Sequence, residues 1–418
     1  MRELRRVVVT GVGLVTSLGI GRRENWQAAI AGRSGAASIT TYEPLDTDTT
    51  VACQITGFEP TDFMDRRVAR RMDRFAQLAV AAGRMALEDA GLQIDPARAA
   101  RAGAMVGSGI GGLKTFEEQV LLTDDRGPDR TSPLFIPMVI ANMAAAQVSM
   151  VLGLKGPLSC VSTACASGNH ALGDATEAIR RGRADVMLAG GTEASITRVG
   201  MAAFNSMKAL STRNDDPQGA SRPFDAGRDG FVMGEAGAIL VLESLEHAID
   251  RGAEPLCEVL GYGLTGDAHH LTEPDPTGTA PAAAVTMALE DAERVPADVD
   301  YVNAHATSTP VGDPSEIRAL RLALGDAVAE GVAVSSTKSM HGHCLGAAGG
   351  VEGALTALVI REGVIPPTIN LQEVDTACTG VDHVANTART ADVRTALSSA
   401  FGFGGHNAIL VLGRLEDA

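Results

Sequence analysis

The sequence of 418 residues has few of the features that direct a protein to nucleic acid or to a membrane. Acidic residues exceed basic ones and give a formal net charge of −16 at pH 7, which argues against general binding to DNA or to an anionic membrane surface. No stretch of about 18 apolar residues occurs, so we expect no transmembrane helix. The start, MRELRRVVVTGVGLVTSLG, is basic and then apolar, but its glycines break the apolar run early. This predicts a first β-strand and not a signal peptide.

Closely spaced cysteine pairs are missing too. The six cysteines are scattered and show no C-x-x-C spacing; they are Cys53, Cys160, Cys165, Cys257, Cys344 and Cys378. In a chain of this length, that pattern predicts reduced thiols in a cytoplasmic protein and argues against a disulfide framework.

Motifs for metal and nucleotide binding are also absent from the sequence. His341 and His343 are close in sequence, but no third ligand of suitable spacing accompanies them, so we expect no metal site. Gly11 and Gly13 lack the third glycine of a dinucleotide fingerprint, and the glycines near the C-terminus are not followed by G-K-[ST]. We therefore expect no nucleotide cofactor.

Aromatic residues make up only 3% of the chain, whereas hydrophobic residues make up 45% and glycines number 47. Such a chain packs through small aliphatic residues, which lets its elements approach closely. Strand-like and helix-like runs alternate almost throughout, which indicates a layered α/β protein. The predicted strands are 6–10, 102–107, 158–164, 185–189, 238–243, 301–304, 332–336 and 408–412. The predicted helices are 74–90, 166–181, 282–291 and 347–362.

The length and a short internal echo predict two core-forming halves. A chain of 418 residues exceeds a typical single domain. A polar strand end followed by a helix start of small residues occurs at 162–168 and again at 335–350. We predict an N-terminal half over 1–255 that carries a nucleophilic cysteine and a C-terminal half over 256–418 that carries histidines.

Cys165 stands in the stretch VSTACASGNH, at the junction between a predicted strand and a predicted helix. A thiol at a helix N-terminus lies near the positive end of the helix dipole, which predicts a lowered pKa and a larger thiolate fraction. Its small neighbours allow a sharp turn and the approach of a substrate, as in a nucleophile elbow. The alternative is a buried apolar thiol, and Cys160 in the strand fits that description better.

Partners for a nucleophilic cysteine occur in the second half. VNAHATSTPVGDPSE contains His305, and SSTKSMHGHCLGAAGG contains Lys338, His341 and His343. Both segments follow strand-like runs, and strand ends are where α/β proteins assemble their sites. For His341 we favour a role in capping a loop. The glycines of SSAFGFGGHNA either turn backbone amides inward as an oxyanion hole or form an ordinary tight turn.

The segment MDRRVARRMDR at 64–74 concentrates five arginines in an acidic protein. A solvated helix face is the usual explanation for an isolated charge run. The functional alternative is a docking patch for an acidic partner, which Lys208 and Arg213 extend.

Together these segments resemble the β-ketoacyl-acyl-carrier-protein synthases, condensing enzymes of the thiolase-like superfamily. The resemblance is closest to the elongating synthases of type II fatty acid synthesis and covers essentially the whole chain. It is carried, in the family's order, by VVVTGVGLVTSLG, STACASG, ADVMLAGGTEA, ALSTRNDDPQGASRPFDAGRDGFVMGEAG, VNAHATSTPVGD, SSTKSMHGHCLGAAGGVE and FGFGGHN. It implies a thiolase-like five-layer α-β-α-β-α sandwich of two pseudo-repeated halves, and a homodimer.

The resemblance also assigns roles to individual positions. Cys165 matches the nucleophile, His305 and His343 match the paired active-site histidines, and Lys338 and Glu352 match a lysine and an acidic partner that support the site. Phe403 matches the gate, and its amide joins that of Cys165 in the oxyanion hole. Further matches are Thr307 and Thr309 for the phosphopantetheine arm; Ile110, Phe135 and Phe204 for the acyl pocket; and Arg70, Arg71 and Lys208 for carrier docking.

The implied chemistry is a ping-pong, decarboxylative Claisen condensation that needs no cofactor. An acyl group moves from an acyl carrier protein to Cys165, and an enolate formed from malonyl-carrier protein then attacks it to give a 3-oxoacyl product. For Ile110, Phe135 and Phe204, the alternative to lining an acyl pocket is ordinary packing in the protein core.

Three other functions are compatible with parts of the pattern. A ketosynthase of a type II polyketide or polyene pathway uses the same Cys-His-His chemistry with another carrier and chain. A non-catalytic chain-length factor typically lacks the nucleophilic cysteine, so the presence of Cys165 argues against it. A thiolase uses a second cysteine near a histidine, which Cys344 after His343 offers, but the paired histidines favour decarboxylative condensation.

Overall fold

The computed structural model describes residues 4–43 and 47–416. The strands of the described chain are β1 Val7–Thr16, β2 Gly19–Ile20, β3 Ala37–Ser38, β4 Val51–Cys53, β5 Ala102–Gly107, β6 Leu158–Val161, β7 Val186–Glu193, β8 Met233–Gly234, β9 Ala236–Ser244, β10 Cys257–Gly266, β11 Tyr301–Asn303, β12 Ala333–Ser335, β13 Val364–Ile365, β14 Asp382–His383, β15 Arg389–Thr390, β16 Thr395–Gly402 and β17 His406–Gly413.

The α-helices of the same residues alternate with these strands. They are α1 Arg22–Ile30, α2 Arg66–Ala69, α3 Arg74–Asp89, α4 Pro96–Ala99, α5 Leu113–Arg126, α6 Phe135–Val139, α7 Met143–Leu152, α8 Ser167–Arg180, α9 Arg198–Ser206, α10 Leu245–Asp250, α11 Thr279–Asp291, α12 Gly312–Leu324, α13 Asp326–Ala329, α14 Lys338–His341 and α15 Ala348–Glu362. None of the helices in the described ranges is long and apolar enough to cross a bilayer.

The large sheet is built from two halves that repeat one topology. Its strand order is β14-β12-β11-β16-β17-β10-β1-β9-β7-β5-β6, with β2 beside β1. In the first half β5 pairs in parallel with β6 and β7, and β9 and β1 follow antiparallel. In the second half β11 pairs in parallel with β12 and β16, and β17 and β10 follow antiparallel. The halves meet where β1 pairs with β10.

The helices complete five layers. α3 and α7 pack on the outer face of the first half, and α11 and α12 cover the second half. α8 and α15 lie between the two halves and contact strands of both. This arrangement confirms the predicted thiolase-like five-layer sandwich with pseudo-repeated halves.

The two central helices approach each other through glycines. A Cβ atom added to Gly168 on α8 would lie 2.6 Å from the backbone nitrogen of Gly350 on α15. Both helices are buried along most of their length. Because a side chain at this contact would force the helices apart, the small residues noted in the sequence determine how closely the two halves meet.

Glycine also explains why one strand is longer than predicted and why another was not predicted. We predicted a strand over 6–10 and none near 260, yet β1 continues to Thr16 and β10 has ten residues. A Cβ atom on Gly11 would lie 2.5 Å from the carbonyl oxygen of Ala86, and one on Gly261 would lie 2.3 Å from that of Ala288. These glycines let α3 and α11 pack directly on equivalent strands, so they mark close approach and not a turn.

The other predicted elements are confirmed within a few residues at their ends, except at the nucleophile. The strand predicted over 158–164 ends at Val161, because the chain turns into a 3₁₀ turn, Ala164–Ala166, before α8. The sequence analysis also did not predict β16, α5, α7 and α12.

Candidate active site

Cys165 occupies a strained turn at the start of α8. The preceding Ala164 has φ = 50°, a left-handed conformation that is uncommon for a residue other than glycine. The hydroxyl of Ser167 fastens the turn: it donates to the carbonyl oxygen of Ala164 at 2.6 Å and accepts from the amide of Thr163 at 2.9 Å. The second half repeats the feature at the turn Leu345–Ala347, where Leu345 has φ = 47°.

The structure places two histidines beside this thiol. Nε2 of His343 lies 3.0 Å from Sγ of Cys165. The rings of His305 and His343 are perpendicular, with centroids 5.3 Å apart. The backbone of His343 is fixed by an amide that donates to Val232 at 2.7 Å and a carbonyl that accepts from Gly234 at 2.9 Å. The three predicted catalytic side chains, from both halves of the chain, are therefore in one place.

Burial determines the charge state of both imidazoles. It lowers the pKa of His305 and the pKa of His343 well below the usual value of 6.5, and the positive charge of Lys338 lowers both further. Both rings are therefore neutral at pH 7. Neither Nδ1 atom has a hydrogen-bond partner in the described part of the chain, so no neighbour locks either ring into one tautomer.

The predicted lowering of the Cys165 pKa is wrong. Burial is the largest influence and raises the pKa of the thiol to about 12. The charge of Lys338 and the backbone N–H groups of Phe403 and Cys165, which face the sulfur, lower the pKa but do not outweigh burial. The desolvation of a buried thiolate raises the pKa by more than the helix terminus lowers it. The resting thiol of Cys165 is therefore neutral.

Lys338 and Glu352 form an ion pair that is completely buried. Lys338 begins α14, Glu352 lies on α15, and the ammonium group donates to Oε1 of the carboxylate. Burial raises the pKa of Glu352 to about 7, and the lysine opposes that rise. The pair places a positive charge near the thiol and both histidines without contacting the cavity.

His341 lies outside the cavity. Its Nε2 is 3.0 Å from the hydroxyl of Thr337, and burial lowers its pKa to about 3. Sγ of Cys344 lies 3.8 Å from its Nδ1. His341 is therefore a packed core residue, although we expected it to cap a loop.

A cavity of about 350 Å³ opens from Cys165 to the surface. Phe204, Phe403, Thr307, Thr309 and Lys208 line it, together with the three catalytic candidates. The hydroxyls of Thr307 and Thr309 are 3.2 Å apart.

Two residues predicted for the acyl pocket lie elsewhere in the single chain. Ile110 is 40% exposed and Phe135 packs against Phe116, and neither lines the cavity. Ile110 follows β5 and Phe135 begins α6.

The five arginines at 64–74 have two different environments, one in a partly buried ion pair and four on the surface. Arg74 forms a 2.7 Å ion pair with the buried Glu235 and supports the fold. The others, at positions 66, 67, 70 and 71, are exposed, and no carboxylate in the described chain pairs with them. Lys208 is exposed near the cavity but forms a 2.6 Å ion pair with Asp48.

The sequence analysis missed two buried carboxylates next to the site. Glu316 on α12 accepts the amides of His305 at 2.9 Å and Ala306 at 2.7 Å, and burial raises its pKa to about 8. Glu193 ends β7 and accepts backbone amides from both halves. An acid at the end of a buried strand whose other residues, except Thr192, are apolar or glycine was the available signal for Glu193.

Comparison with known proteins gives one consistent result. A family model described as the beta-ketoacyl synthase N-terminal domain matches residues 4–248, and one for the beta-ketoacyl synthase C-terminal domain matches residues 256–372. A protein named 3-oxoacyl-[acyl-carrier-protein] synthase 2 from Synechocystis sp. is 47% identical over 414 residues, which are 99% of both chains.

Two solved structures that contain ketosynthases are also similar to this chain. The ishigamide ketosynthase/chain length factor is 37% identical with a TM-score of 0.93, over 99% of this chain and 100% of that one. A ketosynthase in complex with its type II polyketide acyl-carrier protein, bound to the hexaketide, is 34% identical with a TM-score of 0.91 over the same shares.

The raised pKa of Cys165 makes its alkylation by iodoacetamide steeply dependent on pH. Only the thiolate reacts, and with a pKa of about 12 its fraction rises roughly tenfold per pH unit between pH 7 and 10. We expect the rate constant, followed by intact mass, to rise through pH 10 without a plateau. Lys338→Met should slow the reaction at each pH, because the lysine lowers the pKa of the thiol. Cys165→Ala corrects for other thiols, and a plateau near pH 8 contradicts the prediction.

Proposed function

Because this chain belongs to the β-ketoacyl synthase family, we propose that Cys165, His305 and His343 carry out the condensing reaction of that family. The chain is a 3-oxoacyl-[acyl-carrier-protein] synthase that joins an acyl thioester to malonyl-acyl carrier protein in fatty acid elongation, and its partner is an acyl carrier protein. The observation that carries the assignment of residues is the 3.0 Å approach of Cys165 to His343, with His305 beside them in one cavity.

In the first half-reaction the acyl group moves to Cys165. As Sγ attacks the thioester carbon, its proton passes to the neutral Nε2 of His343 and later to the departing thiolate of the carrier. The backbone N–H groups of Phe403 and Cys165 face the sulfur and so lie where they can stabilise the oxyanion. Transfer of the proton during attack is required, because burial keeps the free thiol protonated.

In the second half-reaction malonyl-carrier protein loses carbon dioxide and leaves an enolate. Charge develops on the thioester oxygen, and His305 and His343 each donate an N–H to it. The carbanion attacks the acyl group, the C–S bond breaks, and Cys165 leaves as a thiolate that takes up a proton from solvent, because the overall condensation consumes one proton. Since neither Nδ1 atom has a partner in the described residues, His343 can accept a proton at Nε2 in one half-reaction and donate from it in the next.

The surrounding residues support these steps. We propose that Lys338, held by Glu352, adds a positive potential that reinforces the neutral state that burial gives both imidazoles. Thr307 and Thr309 line the same cavity as the histidines, and we propose that their hydroxyls meet the amides of a phosphopantetheine arm. Phe403 also lines it, with its ring 6.4 Å from that of Phe204, and we propose that Phe403 gates the path to Cys165.

Intact-mass spectrometry with acyl-carrier proteins of several chain lengths tests the first half-reaction. We expect wild type to gain one acyl mass and to release it as a 3-oxoacyl product when malonyl-carrier protein is added, whereas Cys165→Ala gains none. His343→Ala should reduce release of carbon dioxide by about 10²–10³-fold, because one donor to the enolate is lost. His341→Ala is the matched control from the same segment. Loading only by polyketide-type carriers would instead support the polyketide ketosynthase.

The free arginines next to α2 are the proposed docking site for the acidic carrier protein. Arg70 and Arg71 are exposed and unpaired within the described chain, and Lys208 extends positive charge to the mouth of the cavity. Charges of this kind act mainly by steering association.

Reversal of charge at Arg70 and Arg71 should raise KM for the acyl carrier about tenfold at low salt and leave kcat nearly unchanged. The effect should fade above about 0.3 M salt, since the Debye length shortens. Arg183→Glu changes an exposed arginine elsewhere and serves as the control. An equal effect of Arg183→Glu would show that net charge matters and not this patch.

We also propose that two copies associate through the free edge of the first half. β6 is the last strand of the sheet, and its Leu158 is 49% exposed. Other exposed apolar side chains lie on the adjacent helices α5, α6 and α7; they are Phe116, Val120, Leu121, Ile136 and Met150. A second copy here would cover them and would enclose Ile110 and Phe135, which the single chain leaves outside the cavity.

Light scattering during gel filtration tests this association. Wild type should have twice the chain mass, and a Met150→Lys, Leu158→Lys double variant should have the mass of one chain, because buried charge opposes the contact. Ile249→Lys on α10 is the control, since it changes an equally exposed apolar residue elsewhere. A double variant that retains twice the chain mass excludes this surface.

The division of the chain into 1–255 and 256–418 also remains our proposal. It is supported by the repeated strand order and by the passage of the chain between halves after α10.

A further inference from the structure

Glu193 is a fully buried carboxylate without a cationic partner in the described chain. It accepts hydrogen bonds from five groups: the amides of Gly109 (2.7 Å), Gly346 (3.1 Å), Ile110 (3.3 Å) and Gly111 (3.4 Å), and the hydroxyl of Ser108 (3.1 Å). Burial raises the pKa of Glu193, and these donors oppose that rise. The motif that contains it, ADVMLAGGTEA, has no role in the chemistry described above.

The five donors come from different halves of the protein. Residues 108–111 follow β5 in the first half, whereas Gly346 lies in the turn Leu345–Ala347 of the second. The two segments also touch directly, because a Cβ atom on Gly346 would lie 2.3 Å from the amide nitrogen of Gly109. The carboxylate therefore joins two backbone segments across the boundary between the halves.

Each segment is connected to one of the reacting groups. Residues 108–111 pack against the nucleophile turn: a Cβ atom on Gly109 would lie 3.5 Å from the carbonyl oxygen of Ala164, and Ser162 donates to Gly109 at 3.4 Å. On the other side, Leu345 lines the cavity and His343 precedes it by two residues.

We propose that Glu193 is a positioning residue that holds these two segments together and thereby fixes the distance between Sγ of Cys165 and Nε2 of His343. The proposal rests on the proposed function, because that distance matters only if the thiol passes its proton to His343. Glu193 itself touches neither the substrate nor the reacting atoms. Removal of its charge leaves buried N–H donors without an acceptor, which frees the segments to separate.

Glu193→Gln is the informative substitution, because it keeps the volume but turns one acceptor oxygen into an NH₂ group that meets N–H donors. We expect the single-turnover rate of Cys165 acylation, per folded active site, to fall about 10–100-fold, as a displacement of about 1 Å produces. KM for the acyl carrier should change by less than about twofold, because the carrier meets a separate surface.

Glu243→Gln is the matched control. Glu243 is equally buried and lies on the same pair of strands at the opposite end, where it faces Val186 while Glu193 faces Ala236. Its partners, Arg251 and His247, are remote from the cavity. We expect it to lower the unfolding temperature without changing the acylation rate per folded site.

Ser108→Ala gives a second, milder test that stands if Glu193→Gln does not fold. It removes one donor to the carboxylate and should slow acylation in the same direction by a smaller factor. An unchanged acylation rate per folded site in the folded variants overturns the role of Glu193, as does a fall that Glu243→Gln reproduces. If wild type itself is not acylated, the proposed function is rejected and the role of Glu193 with it. If wild type is acylated and the folded variants are acylated at the same rate, only the role of Glu193 is rejected.

Discussion

The thiol of Cys165 and the nearest imidazole, that of His343, come from opposite halves of the chain, and they lie together only because those halves meet at backbone distance. Glycines on α8 and α15 allow that contact, and it brings Cys165 within 3.0 Å of His343. Larger residues at the contact between α8 and α15 would move the two halves apart and separate Cys165 from His343. The small-residue composition of the chain is thus a requirement of the chemistry as well as of packing.

The same close packing buries Cys165, His305 and His343, and their charge states follow from that burial. Burial raises the pKa of Cys165 and lowers the pKa of both histidines, so the resting triad is neutral. Neutral imidazoles can donate to a developing enolate, which a resting ion pair with the thiol would hinder. Lys338 places a positive charge beside the triad, and Glu352 compensates for it. A buried pair of this kind contributes little to stability but fixes an electrostatic potential.

The internal repeat accounts for several features that look unrelated in the sequence. β1 and β10 carry glycines at equivalent places because α3 and α11 lie on them in the same way. A turn that opens with a left-handed residue precedes each central helix, at Ala164 in one half and at Leu345 in the other. One copy of this turn carries Cys165, and the other contributes Leu345 to the wall of the cavity. The two halves are therefore equivalent frames that carry different side chains.

The sequence by itself determined the layered class and many of the long elements, and it predicted the reacting residues, because these depend on local periodicity and on motifs contiguous in the chain. It did not predict β10 or the full length of β1, since glycine usually weakens a strand and only a packed helix requires it there. Only the tertiary structure decided the pKa of Cys165, because desolvation depends on all the neighbours that exclude water and not on the helix that begins beside it. It also determined where Glu193, Glu316, Ile110 and Phe135 lie, because the contacts of these side chains depend on how separate elements pack together.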